Sequence, residues 1–148
     1  MNKIELEKKI TQIISDLSNE KGFITAVDVL MKLGYLSKVD YEKWRKGQVT
    51  CLERVCQANL NKLTTVTKII RQVCTKLNFV PSLTVYNKFG KGPKQRLRFS
   101  MSGNVNAENV YATHFVNRYQ IEKLKNKNVA MEADLVDDVD KEEPTLNE

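Results

Sequence analysis

The stretch that decides the fold class of this chain is Leu83-Thr-Val-Tyr-Asn-Lys-Phe-Gly-Lys-Gly-Pro-Lys-Gln-Arg-Leu-Arg-Phe-Ser-Met101. Apolar and polar residues alternate on both sides of its centre, and a period of two residues is typical of a half-buried β-strand. The central segment Gly90–Lys94 combines glycine, proline and lysine, which indicates a turn. The stretch therefore predicts a two-stranded β-hairpin over residues 83–101.

The same alternation assigns the side chains of the predicted hairpin to two faces. The face expected to pack on the rest of the chain carries the apolar residues Leu83, Val85, Leu97, Phe99 and Met101. The face expected to meet solvent carries Tyr86, Lys88, Arg96 and Arg98, with Lys91 and Lys94 at the tip. The sequence thus predicts a basic surface with one aromatic side chain on it, a combination that suits contacts with a nucleic acid.

Two longer helices are predicted before the hairpin. Isoleucines and leucines between Leu6 and Leu17 recur at steps of three and four residues, which predicts an amphipathic helix over 3–18. Thr50 and Glu53 have the spacing of a capping box, in which each side chain accepts from the backbone N–H of the other residue. The apolar steps that follow predict a single long helix over 51–77.

Two short helices are predicted between these long ones. Thr25 and Ser37 are each followed three residues later by an aspartate, the pattern of a helix N-cap. Gly34 and Gly47 stand where each helix would end. The sequence predicts helices over 24–33 and 38–46.

The region after the hairpin is less regular. A last helix of about twenty residues is predicted from Asn106, although the run Tyr111–Val116 is also compatible with a strand because its residue types favour β-structure. Residues 131–148 contain eight acids and one lysine and are predicted to be a disordered acidic tail. The predicted fold class is α+β, mostly α-helical, with four to five helices and one two-stranded hairpin in a single domain over 1–130.

The charge pattern points to a polyanionic partner. The fifty-four residues between Glu53 and Glu108 contain no acid, and residues 1–130 carry ten acids against twenty-three lysines and arginines. Because so few acids are present, part of the positive potential must face water or a polyanion. The ten basic residues of this gap are Arg54, Lys62, Lys68, Arg71, Lys76, Lys88, Lys91, Lys94, Arg96 and Arg98.

The sequence therefore predicts a non-catalytic nucleic-acid-binding protein, with DNA favoured over RNA. Phosphate contacts are expected from Lys88, Lys91, Lys94, Arg96 and Arg98, together with Tyr86 on the same face. Base contacts are expected from the face of the long helix that carries Lys62 and Lys68.

Two other interpretations stay open at this level. In the first, the protein is an interaction or adaptor module of a bacterial or phage system, and its basic face docks an acidic protein; the acidic tail over 131–148 could also fold back over that face. In the second, the basic segment serves only solubility. The sequence does not determine the oligomeric state.

The sequence offers little for catalysis. His114 is the single histidine and stands in an aromatic and apolar run, where a histidine is more often structural than a general base. Most of the acids of residues 1–130 are explained as helix caps or helix surface, so neither a metal nor another cofactor is expected. The chain is predicted not to be an enzyme, with a metal-free nuclease built on His114 and Tyr111, Arg96 or Arg98 as the alternative.

Targeting signals are also not visible. The segment Met1–Lys9 is charged and lacks the apolar core of a signal peptide, and no stretch has the length of a membrane span. We therefore expect a cytoplasmic protein without a membrane partner. Cys51, Cys56 and Cys74 form an odd set without metal-ligand spacing and are expected to be reduced.

Two resemblances add to these expectations. The order of two short helices, a longer helix and a basic hairpin resembles winged helix-turn-helix domains, with 83–101 as the wing. The strings Tyr41–Gly47, Phe89–Ser100 and Tyr111–Val116 are similar to segments of a group of small bacterial proteins with no assigned function. This second resemblance covers roughly residues 24–117, and implies one compact unit of bacterial or phage origin without implying any chemistry.

Overall fold

The computed structural model describes residues 2–134, with side chains described up to residue 127. This part of the chain is an α+β unit dominated by helices, which confirms the predicted fold class, although it contains six α-helices rather than the predicted four to five. The helices are α1 (Lys3–Lys21), α2 (Ala26–Lys32), α3 (Lys38–Arg45), a short 3-10 helix (Leu52–Val55), α4 (Leu60–Lys76), α5 (Val105–Ala112) and α6 (Arg118–Asp134). The strands are β1 (Phe23–Ile24), β2 (Val80–Leu83) and β3 (Thr113–Val116).

The three strands form one antiparallel sheet with the order β1-β3-β2. Ile24 and Pro81 lie on opposite sides of Phe115, and Ser82 pairs with His114. The alternative of a strand within Tyr111–Val116 is thus the correct one, and the last predicted helix is divided into α5 and α6. The prediction of a two-stranded hairpin as the whole of the sheet is wrong, because β2 pairs with a distant segment rather than with residues 97–101.

Residues 84–101 still double back as a hairpin, but with little strand pairing. An isolated bridge joins Asn87 to Arg96, and the N–H groups of Lys88 and Leu97 donate to the carbonyl oxygens of Gln95 and Tyr86 at 2.8 Å each. We call residues 84–101 the hairpin from here on. Its position must depend on contacts with other elements, because a two-stranded ribbon with so few hydrogen bonds is not stable alone.

The predicted faces are reversed on the outgoing half of the hairpin. Thr84 and Tyr86 are buried, whereas Leu83 and Val85 are 60% and 37% exposed. The N–H of Thr84 donates to the carbonyl of Ala112 at 3.1 Å, so this segment continues the register of β2 against β3. That register, set by a partner about thirty residues away, turns the even-numbered side chains towards the core.

The returning half follows the prediction only in part. Leu97 and Phe99 are buried and Arg96 and Arg98 are exposed, as the alternation predicts. After Phe99 the expected faces are wrong, since Ser100 is buried and Met101 is 55% exposed. The chain leaves the extended conformation here and runs into the loop before α5.

The two short helices form as predicted. The side chains of Thr25 and Ser37 accept from the N–H groups of Asp28 and Asp40 at 2.9 and 3.0 Å. α1 extends three residues beyond its predicted end to Lys21 and then stops at Gly22, whose φ of 81° suits a glycine. A Cβ at this glycine would lie 2.8 Å from a side-chain carbon of Ile121, which packs α6 against α1.

The predicted single helix over 51–77 is wrong. The chain forms the 3-10 helix Leu52–Val55, breaks at residues 56–59 and begins α4 at Leu60. Asn59 is the N-cap of α4, and its side chain accepts from the N–H of Lys62 at 2.8 Å. Asn59 interrupted the apolar pattern because it starts a helix rather than lying within one.

The capping box predicted at Thr50 and Glu53 does not form. One carboxylate oxygen of Glu53 instead accepts from the N–H of Met101, and the other accepts from the hydroxyl of Tyr111, at 2.7 Å each. Glu108 binds the same loop: its carboxylate accepts from the N–H groups of Phe99 and Ser100 at 2.9 and 2.7 Å and from the hydroxyl of Ser100 at 2.6 Å. Glu53 and Glu108, the acids on either side of the acid-free gap, therefore both accept hydrogen bonds from backbone N–H groups at the end of the hairpin.

The core lies between α1, α4 and the sheet, and an aromatic cluster continues it towards the hairpin. Trp44 is completely buried, with ring centroids 5.5 Å from Tyr86 and 5.2 Å from Phe99, and Phe99 stacks on Tyr111 at 5.6 Å. Tyr41 also packs against this core, with its ring centroid 6.2 Å from that of Trp44. The hairpin is in this way joined to α3 through tilted ring contacts and to α5 through one stacked pair.

His114 is a buried part of this core. Its Nε2 atom lies 3.0 Å from the hydroxyl of Tyr86, and its ring stacks on Phe23 with centroids 5.8 Å apart. Burial lowers the pKa of His114 to about 4; the charge of Asp28 works against this shift and that of Lys21 adds to it. The imidazole is therefore neutral at neutral pH.

The C-terminal segment is described only in part. α6 continues to Asp134, so the first four residues of the predicted acidic tail belong to a helix. The rest of that prediction, residues 135–148, lies outside the described residues. The resemblance to winged helix-turn-helix domains stays a prediction, although α2, α3 and the hairpin lie in the expected order.

We expect Glu108→Gln to destabilise the fold by about 2–4 kcal/mol, because an amide offers one acceptor atom where three donors need two. The free energy of unfolding from chemical denaturation measures this loss. Glu122→Gln, a change of the same type at an exposed position of α6, is the matched control and should shift it by less than about 0.5 kcal/mol. Equal effects of the two variants would contradict the role assigned to Glu108.

We expect the stability to fall as the pH drops through the window between the pKa values of His114 in the two states. The unfolded chain binds a proton near pH 6.5, whereas the folded chain binds it only near pH 4, so the contribution of the neutral imidazole is complete above pH 6.5 and is lost towards pH 4. His114→Gln lacks this titration. Between pH 7 and pH 4 the free energy of unfolding of the wild type should fall by about 3 kcal/mol more than that of the variant. Chemical denaturation at several pH values measures this difference, and parallel curves of unfolding free energy against pH would contradict the role of His114.

Candidate nucleic-acid interface

The hairpin is held against the last turn of α3. The indole Nε1 of Trp44 donates to the carbonyl of Arg98 at 2.8 Å on the returning half. On the outgoing half, Nη2 of Arg45 donates to the carbonyl of Asn87 at 3.2 Å, and the N–H of Phe89 donates to the carbonyl of Arg45 at 2.7 Å. Two consecutive residues of α3 thus bind the two halves of the hairpin.

Arg45 is unusual because it is an arginine with only 3% of its surface exposed. Its guanidinium carbon lies 5.0 Å from the ring centroid of Tyr86 and 4.1 Å from that of Phe89. Its Nη1 donates to the hydroxyl of Tyr41 at 3.2 Å. Planar contacts with aromatic rings and hydrogen bonds in the plane allow a guanidinium to be buried in this way.

The ten basic residues of the acid-free gap make no ion pair with another described residue. The ion pairs within residues 2–127, whose side chains the structure describes, join Lys21 to Asp28 at 2.7 Å and Lys32 to Glu20 at 3.5 Å, on α1 and α2. Glu53 and Glu108, the acids at the borders of the gap, are turned towards backbone N–H groups. The positive potential predicted from the sequence is therefore not cancelled by the described fold.

Four of the predicted site residues come together on the hairpin. Lys88, Lys91, Lys94 and Arg96 are exposed on the two arms and the tip. The aliphatic chain of Lys88 lies over Gly47, where an added Cβ would be 3.1 Å from it, and this contact places the hairpin beside the exposed Lys46 at the end of α3. Lys46 is a basic neighbour that the sequence did not indicate.

Two other predicted residues have structural roles. Tyr86 is 4% exposed and packs on Trp44, Phe99 and His114, so its predicted outward orientation is wrong. Arg98 is exposed as predicted, but its guanidinium donates to the carbonyls of Ser100 and Met101 and lies 3.3 Å from the position of a Cβ on Gly103. These contacts close the loop after the hairpin, so a substitution of Arg98 changes the fold as well as the charge.

The two predicted lysines of α4 make no described contact with the hairpin residues. Lys62 is partly buried and Lys68 is exposed, on a helix whose apolar side packs against α1. The hydrogen bonds described above hold the hairpin to α3, the 3-10 helix and α5. We therefore treat Lys62 and Lys68 as a second, separate basic region.

Phe89 is the exposed aromatic residue of this region, in place of Tyr86. It is 47% exposed, directly before the glycines of the tip, and one side of its ring covers the guanidinium of Arg45. Sequence reasoning missed Phe89 because alternation loses its meaning at a turn. A large aromatic residue between lysines in a predicted turn was nevertheless a usable signal. We call Lys46, Lys88, Phe89, Lys91, Lys94 and Arg96 the hairpin surface.

Groups suited to catalysis do not converge at the hairpin surface. The described side chains, those of residues 2–127, contain no cluster of three or more potential metal ligands. His114 is 1% exposed, and burial holds the pKa of the Cys56 and Cys74 thiols at about 12. The described helices are too short or too polar to cross a membrane. The arrangement can offer positive charge and one aromatic plane to a partner.

Comparisons with known proteins add no evidence on function, so the functional interpretation depends on the geometry described above. No family model, no curated protein and no solved structure matches the chain.

Proposed function

We propose that this protein binds nucleic acid, in the first place DNA, through the hairpin surface and without catalysis. The observation that carries the proposal is the group of exposed cations on the hairpin, none of which is paired with an acid among the side chains described, those of residues 2–127. Like charges held close together repel one another, and a polyanion relieves that repulsion while it releases its own counterions.

The hairpin arms and tip favour phosphate contacts. Lys91 and Lys94 stand on either side of Gly92 and Pro93 at the tip, where their side chains can reach successive phosphates as point charges. Lys88 and Arg96 stand on the two arms, beside the bridge between Asn87 and Arg96. Contacts of this kind bind the sugar-phosphate backbone and carry little sequence information. We therefore propose binding with weak sequence preference.

The surface is built to keep its shape in the absence of a partner. The contacts of Trp44 and Arg45 hold both halves of the hairpin, and burial of Tyr86 anchors the outgoing half in the aromatic cluster. A binding surface that is already ordered loses less conformational entropy when the ligand binds. This order supports a binding role for the exposed residues of the hairpin over a role in solubility alone.

We expect the triple variant Lys91→Gln, Lys94→Gln and Arg96→Gln to weaken DNA binding strongly and to lower its dependence on salt. Each phosphate contact contributes about 0.7–0.9 to the slope of log K against log salt concentration, so loss of three contacts should reduce the slope by about 2–3. Binding isotherms at several salt concentrations, by fluorescence anisotropy, measure both quantities.

The control for this experiment is a variant with the same change in net charge, Lys3→Gln, Lys8→Gln and Lys9→Gln, on the exposed side of α1. It should keep most of the wild-type affinity. Equal losses in the two variants would mean that net charge alone acts, and absence of DNA and RNA binding at low salt would refute the proposal. Equal affinity for polyglutamate would favour an acidic protein as the partner instead.

The same binding isotherms test whether Lys62 and Lys68 on α4 also contact the nucleic acid. If α4 extends the interface, Lys62→Gln with Lys68→Gln should lower the affinity by the amount expected for two phosphate contacts. An unchanged isotherm would limit the interface to the hairpin surface.

A further inference from the structure

We infer that Phe89 is a stacking platform for an unpaired base, so that the hairpin surface takes single-stranded nucleic acid in preference to duplex. This inference rests on the proposed function and names its substrate class. It comes from the position of one aromatic ring among the cations described above.

The ring of Phe89 has one covered side and substantial exposure elsewhere. Its centroid lies 4.1 Å from the guanidinium carbon of Arg45, which is a stacking distance, while 47% of the residue remains exposed. Arg45 itself is almost fully buried and contacts both Phe89 and the ring of Tyr86. Phe89 is therefore supported from inside by a guanidinium, and its exposed surface can accept a planar group.

The backbone holds this ring in place before any ligand binds. The N–H of Phe89 donates to the carbonyl of Arg45 at 2.7 Å, and the N–H of Lys88, one residue earlier, donates to Gln95 at 2.8 Å. Asn87 is fixed on both of its sides, by the bridge to Arg96 and by the hydrogen bond from Arg45. A ring fixed in this way loses little freedom when a base stacks on it.

The chemistry around the ring selects the partner. Phe89 is preceded by Lys88 and followed within five residues by Lys91 and Lys94, so an apolar protein segment that covered the ring would also remove water from exposed cations at a cost. A single strand offers phosphates to the lysines and a base plane to the ring at the same time. In a duplex the base planes are covered by their stacked neighbours, so the lysines can still contact phosphates but the ring has no open base plane to meet.

The experiment separates the phosphate contribution from the base contribution. Two oligonucleotides of about 15 units, one of deoxythymidine and one of abasic sites, carry the same backbone charge and differ only in the bases. The wild-type protein should bind the deoxythymidine oligomer about tenfold more tightly than the abasic one, since stacking of one base has roughly this effect. A duplex of similar length should bind with an affinity close to that of the abasic oligomer.

Two substitutions test the ring itself. Phe89→Leu keeps an apolar cover on Arg45 but has no aromatic plane, so it should bind both oligomers equally, at the wild-type affinity for the abasic one. Phe89→Tyr keeps the plane and should keep the tenfold preference. Thermal unfolding of both variants checks that Arg45 remains covered, and a Tyr variant that folds but lacks the preference would count against the inference.

The outcomes distinguish this inference from the proposed function. Equal binding of both oligomers by the wild type, or a preference retained by Phe89→Leu, overturns the stacking role while leaving phosphate binding intact. Tighter binding of the duplex than of the deoxythymidine oligomer overturns the preference for single strands. Absence of binding to every oligomer overturns both proposals.

Discussion

The position of the hairpin depends on the last turn of α3. The hairpin has one isolated bridge of its own, between Asn87 and Arg96, and would not keep its shape by that pairing. Trp44 binds the returning half through its indole N–H, and Arg45 binds the outgoing half through its guanidinium and its carbonyl. Because these two residues are consecutive, the geometry of a helix supports both arms and supplements the single bridge between them. The exposed cations on the arms take their positions from this support.

The hydrogen bonds made by Glu53 and Glu108 explain why the hairpin surface stays positive. Glu53 and Glu108 are the acids nearest to the basic segment in sequence, and an exposed lysine would be an ordinary partner for either of them. Both carboxylates are instead occupied by N–H groups of residues 99–101 and by the hydroxyls of Ser100 and Tyr111. These donors lie in a partly buried loop, where an unsatisfied N–H group costs more free energy than a surface ion pair returns. Stability of the loop and positive charge on the hairpin thus have one cause.

Local signals were sufficient for the helices, and long-range pairing decided what the sequence could not show. The caps at Thr25 and Ser37 act within one turn of helix, so the residues beside them reveal α2 and α3. The faces of the hairpin depend on the pairing of residues 82–84 with residues 112–114, and alternation alone cannot choose between the two possible faces of a strand. The capping box predicted at Glu53 was wrong for a similar reason. Its spacing from Thr50 suits a cap, but its carboxylate accepts from the distant N–H of Met101 and hydroxyl of Tyr111 instead. The sequence predicted the exposed cations of the hairpin correctly because a charged side chain remains in solvent whichever face of the strand packs on the core.

The exchange of Tyr86 for Phe89 as the exposed aromatic residue follows from the place where the alternation of faces ends. Tyr86 is drawn inward by the hydroxyl contact with His114 and by Trp44. Beyond Tyr86 the alternation is lost, since Lys88 and Phe89 are both exposed, and Phe89 lies in the bend before Gly90 with its ring over the guanidinium of Arg45. The guanidinium that contacts both rings removes the need to bury Phe89 in an apolar core, because a buried cation is itself a favourable surface for an aromatic plane. An aromatic ring can in this way remain fixed and half exposed at the tip of a basic hairpin, which is the arrangement that a stacking contact requires.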